Sequence, residues 1–362
     1  MKLVNQTPVV ADVQLSQEPG CDYKSGMLLA KATFGYDPTG RVWMIDQDPI
    51  PLYKEDEQTE LGLLPGDYVP RDDPAFEVIV LGAAYSGRGP APRRPVTLTV
   101  GEVTRQIMVF GDRTWNERRV GSATIGAPVP FTRIPLTYEF AFGGSVPANL
   151  DMDTVMDIED RMNKYGRGFD ATKLANDLAA AFKAPAGFPF LKYERPLPNL
   201  ENPAALIQDW NDAPDPHCWA TIPTDIGFMM SELIHHFEQH KWPLGRDRTT
   251  PMMYQRAHPD WIIDVPPAGA PIIMKGLHPE VDAVTFGLPQ VRVLADFELG
   301  ERTGTRELVP HMLMLLPDEQ RFYIVYRHHF KMKTDPEMER SFRLRIEGGW
   351  YAPPSENQGG TA

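Results

Sequence analysis

Residues 96–110, VTLTVGEVTRQIMVF, contain the pattern that decides the fold class. Val96, Leu98 and Val100 alternate with threonines, a Gly-Glu turn signal follows, and the second run ends at Phe110. Strict alternation places apolar side chains on one face of a strand, and a glycine between two such runs is typical of a β-hairpin. This stretch therefore predicts a half-buried hairpin within an antiparallel sheet.

Similar strand patterns occur on both sides of the middle of the chain, over residues 28–36, 41–45, 76–85, 272–274, 291–299, 306–316, 321–327 and 341–347. The middle instead has helical spacing, over residues 151–163, 171–183 and a third stretch that begins at Ile226. We therefore expect a mainly β (α+β) protein, an elongated β-rich body of hairpins and antiparallel sheets with a helical insertion. Residues 1–347 are predicted to form one domain, and residues 348–362 a disordered tail. Within the domain we expect an N-terminal β part (1–145), a helical and loop insertion (146–258) and a C-terminal β part (259–347).

The composition agrees with a folded, mainly β protein. The 362-residue chain has 36 prolines and 42% hydrophobic residues, and each proline inside a helix costs about 3 kcal/mol. The formal net charge of −13 argues against nucleic acid or an anionic membrane as a direct partner, because both favour basic surfaces. The N-terminus lacks the apolar run of a signal peptide, and the two cysteines suit a reduced, structural role. We therefore expect a cytoplasmic protein.

The histidines offer the one spacing that suggests metal chemistry. His236 and His240 lie four residues apart, and two imidazoles on one helix face can chelate zinc. The glutamate that would act as general base is missing, since Phe237 follows the first histidine. The neighbours His217 and Cys218 would point to opposite sides of an extended chain, so they form no nucleophile–base pair. We predict no catalytic residue, no metal and no cofactor. A metal-dependent hydrolase using His236 and His240 is the alternative.

Four blocks rich in glycine, proline and aromatic residues stand out: FGDRTW (110–115), PFTRIPLTYEFAFGG (130–144), GRGF (166–169) and LPNLENP (197–203). Taken alone, they fit fixed backbone corners better than a docking surface, since proline locks φ and glycine permits positive φ. Together they resemble the signature segments of the domain of unknown function family 2169. Members of that family are encoded beside VgrG spike and effector genes in bacterial type VI secretion clusters. The resemblance extends over residues 1–347.

The resemblance implies a non-enzymatic adaptor or chaperone that binds a cognate type VI secretion toxin and helps load it onto the VgrG/PAAR spike. The expected partners are the effector and a VgrG or PAAR protein, with no nucleic acid bound directly and no membrane. A structural component of the secretion apparatus is a further alternative. The matching motif residues, with a structural or partner-binding role, are Gly111, Asp112, Arg113, Trp115, Pro130, Phe131, Pro135, Tyr138, Glu139, Phe142, Gly143, Gly144, Gly166, Gly168, Phe169, Pro198, Asn199, Glu201 and Pro203.

One region departs from the family pattern. Between Cys218 and Met253 a tryptophan- and arginine-containing run is expected, and a predicted helix rich in methionine and histidine takes its place. Met229, Met230 and Phe237 of this helix are the candidates for cargo contact, because methionine adapts to irregular apolar surfaces. The same apolar stripe also fits a helix that faces its own core.

Overall fold

The computed structural model describes residues 1–17, 23–68, 75–116, 124–149, 155–169, 196–223, 255–299, 302–333 and 340–349. Within these ranges the chain is mainly β, with short 3₁₀ helices at Tyr138–Phe140, Pro259–Trp261 and Pro317–Glu319. None of the helices in these ranges is long and apolar enough to cross a membrane. The prediction of a mainly β protein is confirmed.

The strands are numbered in chain order. The first thirteen are β1 (Lys2–Asn5), β2 (Val10–Gln17), β3 (Tyr23–Tyr36), β4 (Val42–Met44), β5 (Glu57–Thr59), β6 (Gly62–Leu64), β7 (Phe76–Val80), β8 (Ala83–Tyr85), β9 (Arg93–Val100), β10 (Val103–Phe110), β11 (Trp115–Asn116), β12 (Thr124–Ile125) and β13 (Arg133–Pro135). The others are β14 (Phe142–Gly143), β15 (Ser145–Asn149), β16 (Val155–Glu159), β17 (Arg167–Gly168), β18 (Leu200–Glu201), β19 (Ile262–Ile263), β20 (Pro271–Lys275), β21 (Ala283–Gly287), β22 (Gln290–Leu299), β23 (Arg302–Glu307), β24 (Val309–Leu316), β25 (Arg321–Lys333) and β26 (Arg340–Gly349).

The predicted hairpin is present as β9 and β10. Val100 pairs with Val103 across the turn, and Val96 pairs with Ile107. Val96, Leu98 and Val100 are buried, as the alternation requires. Gly101 has φ +61°, a left-handed conformation that glycine adopts without steric cost.

Three larger sheets contain most of the strands in the described residues, and the other strands form two-stranded pairs. The seven-stranded sheet has the order β19-β7-β24-β25-β3-β2, with β4 also paired to β3. The five-stranded sheet has the order β18-β10-β9-β20-β21, and the four-stranded sheet has the order β1-β26-β22-β23. Each sheet contains strands from both ends of the sequence. The longest pairing, between β3 and β25, is antiparallel and runs from Tyr23 opposite Lys333 to Gly35 opposite Arg321.

Two predicted strands are each divided in two. Residues 76–85 form β7, in the seven-stranded sheet, and β8, which pairs with β13. Residues 306–316 fall partly in β23, in the four-stranded sheet, and partly in β24, in the seven-stranded sheet. In both cases the chain passes between sheets, so continuous apolar character does not imply one continuous strand.

One apolar core joins the three sheets, with Val325, Leu98 and Phe342 as members from the seven-, five- and four-stranded sheets. Aromatic stacking contributes at the seam between two of them. The Phe322 ring stacks on Phe286 of β21 at a centroid distance of 5.1 Å. Each large apolar side chain buried in this way contributes roughly 1.5–3 kcal/mol to folding.

The helical insertion is not seen in the described residues. The predicted helix over residues 151–163 is wrong, because residues 155–159 form β16, antiparallel to β15. Val146 and Ile158 are opposite each other in this pair and both are buried. Cross-strand burial therefore outweighs the helical composition, as tertiary context commonly does. The predicted helices over residues 171–183 and from Ile226 onward lie outside the described residues. Of the predicted tail over residues 348–362, Gly348 and Gly349 belong to β26, and residues 350–362 lie outside the described residues.

The prolines of residues 46–73 predict an extended arm on the surface, but the structure packs the described part of this segment, residues 46–68, against the seven-stranded sheet. Lys31 of β3 lies in a fully buried ion pair, its Nζ 2.6 Å from the Asp67 carboxylate. The same Nζ donates to the Pro51 carbonyl at 2.8 Å and lies 4.4 Å from the centre of the Tyr323 ring. A buried lysine needs such partners, because an uncompensated charge in the interior is costly.

Candidate functional site

The four sequence blocks meet at one place in the fold, and Asn199 connects three of them directly. Asn199 donates through Nδ2 to the Phe110 carbonyl and to the Asp112 carboxylate, both at 3.0 Å. Its Oδ1 accepts a hydrogen bond from Arg167 Nη1 at 3.1 Å. One asparagine side chain thus ties together residues 110–115, 166–169 and 197–203.

A buried ion pair between Arg113 and Glu201 fixes the same junction. Pairing of β18 with β10 brings Glu201 opposite Met108 and so close to Arg113. The Arg113 guanidinium donates to the Glu201 carboxylate and, at 2.7 Å, to the Pro198 carbonyl. Glu201 also accepts the Ile207 N–H at 2.9 Å. Burial raises the pKa of the Glu201 carboxyl, while Arg113 opposes that rise. Both side chains are held rigidly, since breaking such a pair is expensive.

Two glycines let the second and third blocks approach each other closely. Gly143 and Gly144 have φ values of +138° and +123°. A Cβ on Gly143 would overlap the Asn163 carbonyl oxygen. The Asn163 side chain in turn donates to the carbonyls of Tyr138 (2.7 Å) and Phe142 (3.0 Å). The parallel pair β14–β17 forms here because these positions carry no side chain.

These contacts surround a recess that we name the tryptophan cleft. It has a volume of about 160 Å³, and the residues that line it are Trp115, Gly143, Gly144, Ser145, Val146, Gly166, Arg167, Gly168, Phe169, Pro196, Leu197, Pro198, Ile207, Trp210 and Asp212. The Trp115 and Trp210 rings meet edge to face at 5.1 Å. Leu197 and Ile207 belong to a small apolar cluster below them, separate from the main core. A cavity near 150 Å³ holds one benzene-sized group, so the cleft suits one apolar side chain.

The polar groups of the cleft are held in fixed positions. Arg167 donates through Nε to the Glu139 carbonyl at 3.0 Å, and its guanidinium lies 4.4 Å from the Phe140 ring centre. Asp212 accepts the backbone N–H groups of Gln208 and Asp209, which lower the pKa of its carboxyl. The cleft therefore offers one cation and one anion beside two indole rings, an arrangement that suits recognition of a peptide segment.

The structure distributes the predicted motif residues among three places. Those that line the tryptophan cleft are Trp115, Gly143, Gly144, Gly166, Gly168, Phe169 and Pro198. Those that are joined to the cleft by hydrogen bonds, ion pairs or apolar packing are Asp112, Arg113, Phe142, Asn199 and Glu201, while Gly111 packs closely against the Val129 carbonyl. The others lie apart from the cleft: Pro130, Phe131 and Pro135 near the β8–β13 pair, Tyr138 and Glu139 in a 3₁₀ helix, and Pro203 after β18.

Sequence reasoning missed several residues of this site. Arg167 lies between two motif glycines, and Asn163 precedes them by three residues, yet neither was selected as a site residue. Trp210 has no sequence signal, because its relation to Trp115 depends on the path of the chain after β18. Met229, Met230 and Phe237, together with His236 and His240, lie outside the described residues.

In the described part of the chain, His217, His258 and Asp260 form the group that best resembles a metal site, with ligand atoms within 4.8 Å of one another. Backbone groups already engage at least one ring nitrogen of each histidine. His217 Nε2 lies 3.1 Å from the Gln106 carbonyl, and His258 Nδ1 accepts the Asp260 N–H at 3.2 Å. His258 also hydrogen-bonds the Pro216 backbone. Burial lowers the pKa of His217 and brings that of His258 to about 4. The pair therefore fits a buried, neutral structural role better than a metal centre.

Cys218 and its sequence neighbour His217 each have a separate hydrogen-bond partner. The Cys218 thiol is buried and accepts the Ala220 N–H at 3.4 Å. Burial raises its pKa to about 12, so the reactive thiolate is disfavoured. The neighbouring His217 side chain is engaged with Gln106.

The fold and the cleft together define a class: a multi-sheet β protein that holds a small aromatic recess between rigid loops. The chain belongs to the family described as an uncharacterized protein conserved in bacteria, domain of unknown function 2169, whose sequence profile matches residues 23–327. The resemblance drawn from the four blocks is thereby confirmed at the level of the family. No curated protein matches the chain, and no solved structure does.

Proposed function

We propose that this protein is a non-enzymatic adaptor that binds a cognate toxin effector of a type VI secretion system. It receives the effector in the cytoplasm and passes it to a VgrG or PAAR spike protein. The tryptophan cleft is the contact site, and it takes one apolar anchor side chain from an extended segment of the effector. The single observation that carries this proposal is the convergence of all four separated family blocks on one rigid, aromatic cleft.

The geometry of the cleft favours binding over chemistry. Protein–protein interfaces draw most of their energy from a few aromatic or arginine residues at packed, desolvated positions. Trp115, Trp210 and Arg167 are residues of those types, and hydrogen bonds or ring contacts hold each of them. Because the recess is already formed, binding does not have to order its side chains, and the entropic cost of association is smaller. The volume is below the roughly 300 Å³ of ordinary small-molecule sites, so a single side chain is the better occupant.

The experiment measures the affinity of the purified chain for the effector encoded beside its gene, by calorimetry. We expect a one-to-one complex, and about 30-fold weaker binding for Trp115→Ala and for Trp210→Ala, since loss of a central anchor contact costs about 2 kcal/mol. Trp43→Ala is the matched control. Trp43 is also half-buried, but it packs on Gly35 in the seven-stranded sheet. It should leave the affinity unchanged.

Two results would contradict the proposal. Failure of the wild-type chain to bind either the effector or the spike protein would remove the adaptor role. Equal weakening by Trp43→Ala and Trp115→Ala would show that general destabilisation, rather than the cleft, controls binding. Retention of the chain in the assembled secretion particle would favour the structural-component alternative, and stoichiometric zinc with activity lost in His236→Ala would favour the hydrolase.

A further inference from the structure

A second recess, larger and acidic, lies on the other side of the segment that carries Glu139. It has a volume of about 520 Å³ and we name it the acidic cleft. Residues that line it are Asp56, Gln58, Thr59, Glu60, Gly62, Leu63, Pro135, Thr137, Tyr138, Glu139, Phe140, Tyr165, Ala220, Thr221 and Pro223. Five of them, Pro135, Thr137, Tyr138, Glu139 and Phe140, belong to the family block 130–144, although none of these lines the tryptophan cleft.

Within the described residues, one of the three carboxylates of the acidic cleft is paired with a cation, and the other two are not. Asp56 already has a cation, since Arg256 donates to both of its oxygens at 2.6 and 3.1 Å. Glu60 and Glu139 are exposed, and neither forms an ion pair in the part of the chain that the structure describes. The Glu139 carboxylate accepts a hydrogen bond from the Thr137 hydroxyl at 3.2 Å, the one side-chain hydrogen bond that it has within the described ranges. Two negative charges at this cleft therefore remain available to a cation.

A buried hydroxyl supplies independent evidence for a ligand. Thr221 lines the cleft, is only 2% exposed, and its Oγ1 has no hydrogen-bond partner among the residues that the structure describes. Buried hydroxyls in native proteins are almost always hydrogen-bonded, so an unpartnered one calls for an explanation. A group rich in N–H donors in this cleft would supply the missing bond, because a hydroxyl oxygen accepts.

The two clefts are neighbours. Tyr165 lines the acidic cleft, and Arg167, two residues further along the chain, lines the tryptophan cleft. Arg167 also donates to the backbone carbonyl of Glu139, whose side chain is on the acidic side. An extended segment advances about 3.3 Å per residue, so a short stretch of one partner can reach both clefts.

We propose that the acidic cleft binds a lysine or arginine side chain of the partner whose apolar anchor enters the tryptophan cleft. This inference rests on the proposed function and adds the charge of the partner. The basic side chain pairs with Glu60 and Glu139 and donates to Thr221. The net charge of −13 favours the approach of such a segment from a distance. The recognised sequence therefore contains a basic residue close to an apolar one.

The test uses a random dodecapeptide library displayed on phage and selected against the full chain, so that no effector is needed. We expect the selected peptides to be enriched in lysine or arginine near an apolar residue. For one such peptide, Glu60→Gln with Glu139→Gln should weaken binding about five- to tenfold and reduce its dependence on salt, as for two exposed ion pairs. Glu102→Gln, the same change at the exposed β9–β10 turn, is the matched control and should have no effect.

The outcomes separate this inference from the proposed function. If peptides lack basic residues, or bind the double variant and the wild type equally, the inference is wrong. If, in addition, Trp115→Ala still lowers the affinity of the selected peptides, the tryptophan cleft remains the binding site. If the double variant weakens binding and Trp115→Ala does not, the acidic cleft stands and the proposed anchor site falls. Selection of no binder at all would count against both.

Discussion

Glu201→Gln tests whether the buried ion pair holds the tryptophan cleft together. The substitution keeps the shape of the side chain and an oxygen that can still accept the Ile207 N–H, but it removes the charge opposite Arg113. The guanidinium is then left almost completely buried without a counter-charge. Breaking a buried pair by removing one partner costs about 3–5 kcal/mol, and the hydrogen bonds that glutamine retains place this variant near the lower limit.

This cost translates into a measurable shift of the melting temperature. Unfolding entropy near the midpoint is roughly 2.1 cal/mol/K per residue, which is about 0.76 kcal/mol/K for a chain of 362 residues. A loss of about 3 kcal/mol therefore lowers Tm by about 4 °C. Differential scanning calorimetry measures the shift, and tryptophan fluorescence follows the surroundings of Trp115 and Trp210.

The double variant separates the pair interaction from simple loss of packing. Arg113→Met with Glu201→Gln removes both charges, so it should be more stable than the sum of the single changes predicts, by about 2 kcal/mol. Glu102→Gln, at an exposed turn, should not change Tm. If Glu201→Gln alters Tm by less than 1 °C, or the two changes are additive, the ion pair does not hold the site and the reasoning is refuted.

Two further predictions concern backbone geometry and pH. Gly143→Ala should destabilise the protein by about 2–4 kcal/mol and abolish binding at the tryptophan cleft, because the φ of Gly143 is +138° and a Cβ would overlap the Asn163 carbonyl. Thermal unfolding measures the loss of stability, and calorimetry measures the loss of binding. The pKa of His258 is about 4 in the fold, below the ordinary 6.5, because burial disfavours its charged form. The stability that this group contributes is present above pH 6.5 and is lost as the pH falls towards 4, by up to about 3 kcal/mol. Tm of His258→Asn, which can still cap the Asp260 N–H, should therefore fall less between pH 6.5 and 4 than that of the wild type.

Each of these predictions has its own control. Gly89→Ala introduces the same methyl group where no atom lies within 4 Å, and it should leave Tm unchanged. A Gly143→Ala protein as stable as the wild type would show that the close approach of the two loops is not required. For His258, parallel pH profiles of variant and wild type would exclude its protonation as a source of acid instability.

Local pattern in the sequence was sufficient to predict most of the long strands, but not the sheets to which they belong. Apolar side chains at every second position, as in residues 96–100, lie on one face of the strand and are buried there. This alternation can be read from the sequence without knowing which strand pairs with it. The four blocks also identified the family correctly, because proline and glycine mark backbone corners by their own φ preferences. Where composition and pairing disagreed, as in residues 155–159, the pairing with β15 decided for strand.

Only the tertiary structure decided which residues form the site. Arg113 and Glu201 are far apart in the sequence, and nothing local to either indicates the other; the β10–β18 pairing brings them together. The same holds for Trp115 with Trp210. A strand is specified by a few neighbouring side chains. A cleft, in contrast, forms only when strands that are distant in the sequence pair, and its buried charges are stable only because that pairing brings opposite charges together. The sequence by itself therefore determined a β protein of this family, and the fold determined the two clefts.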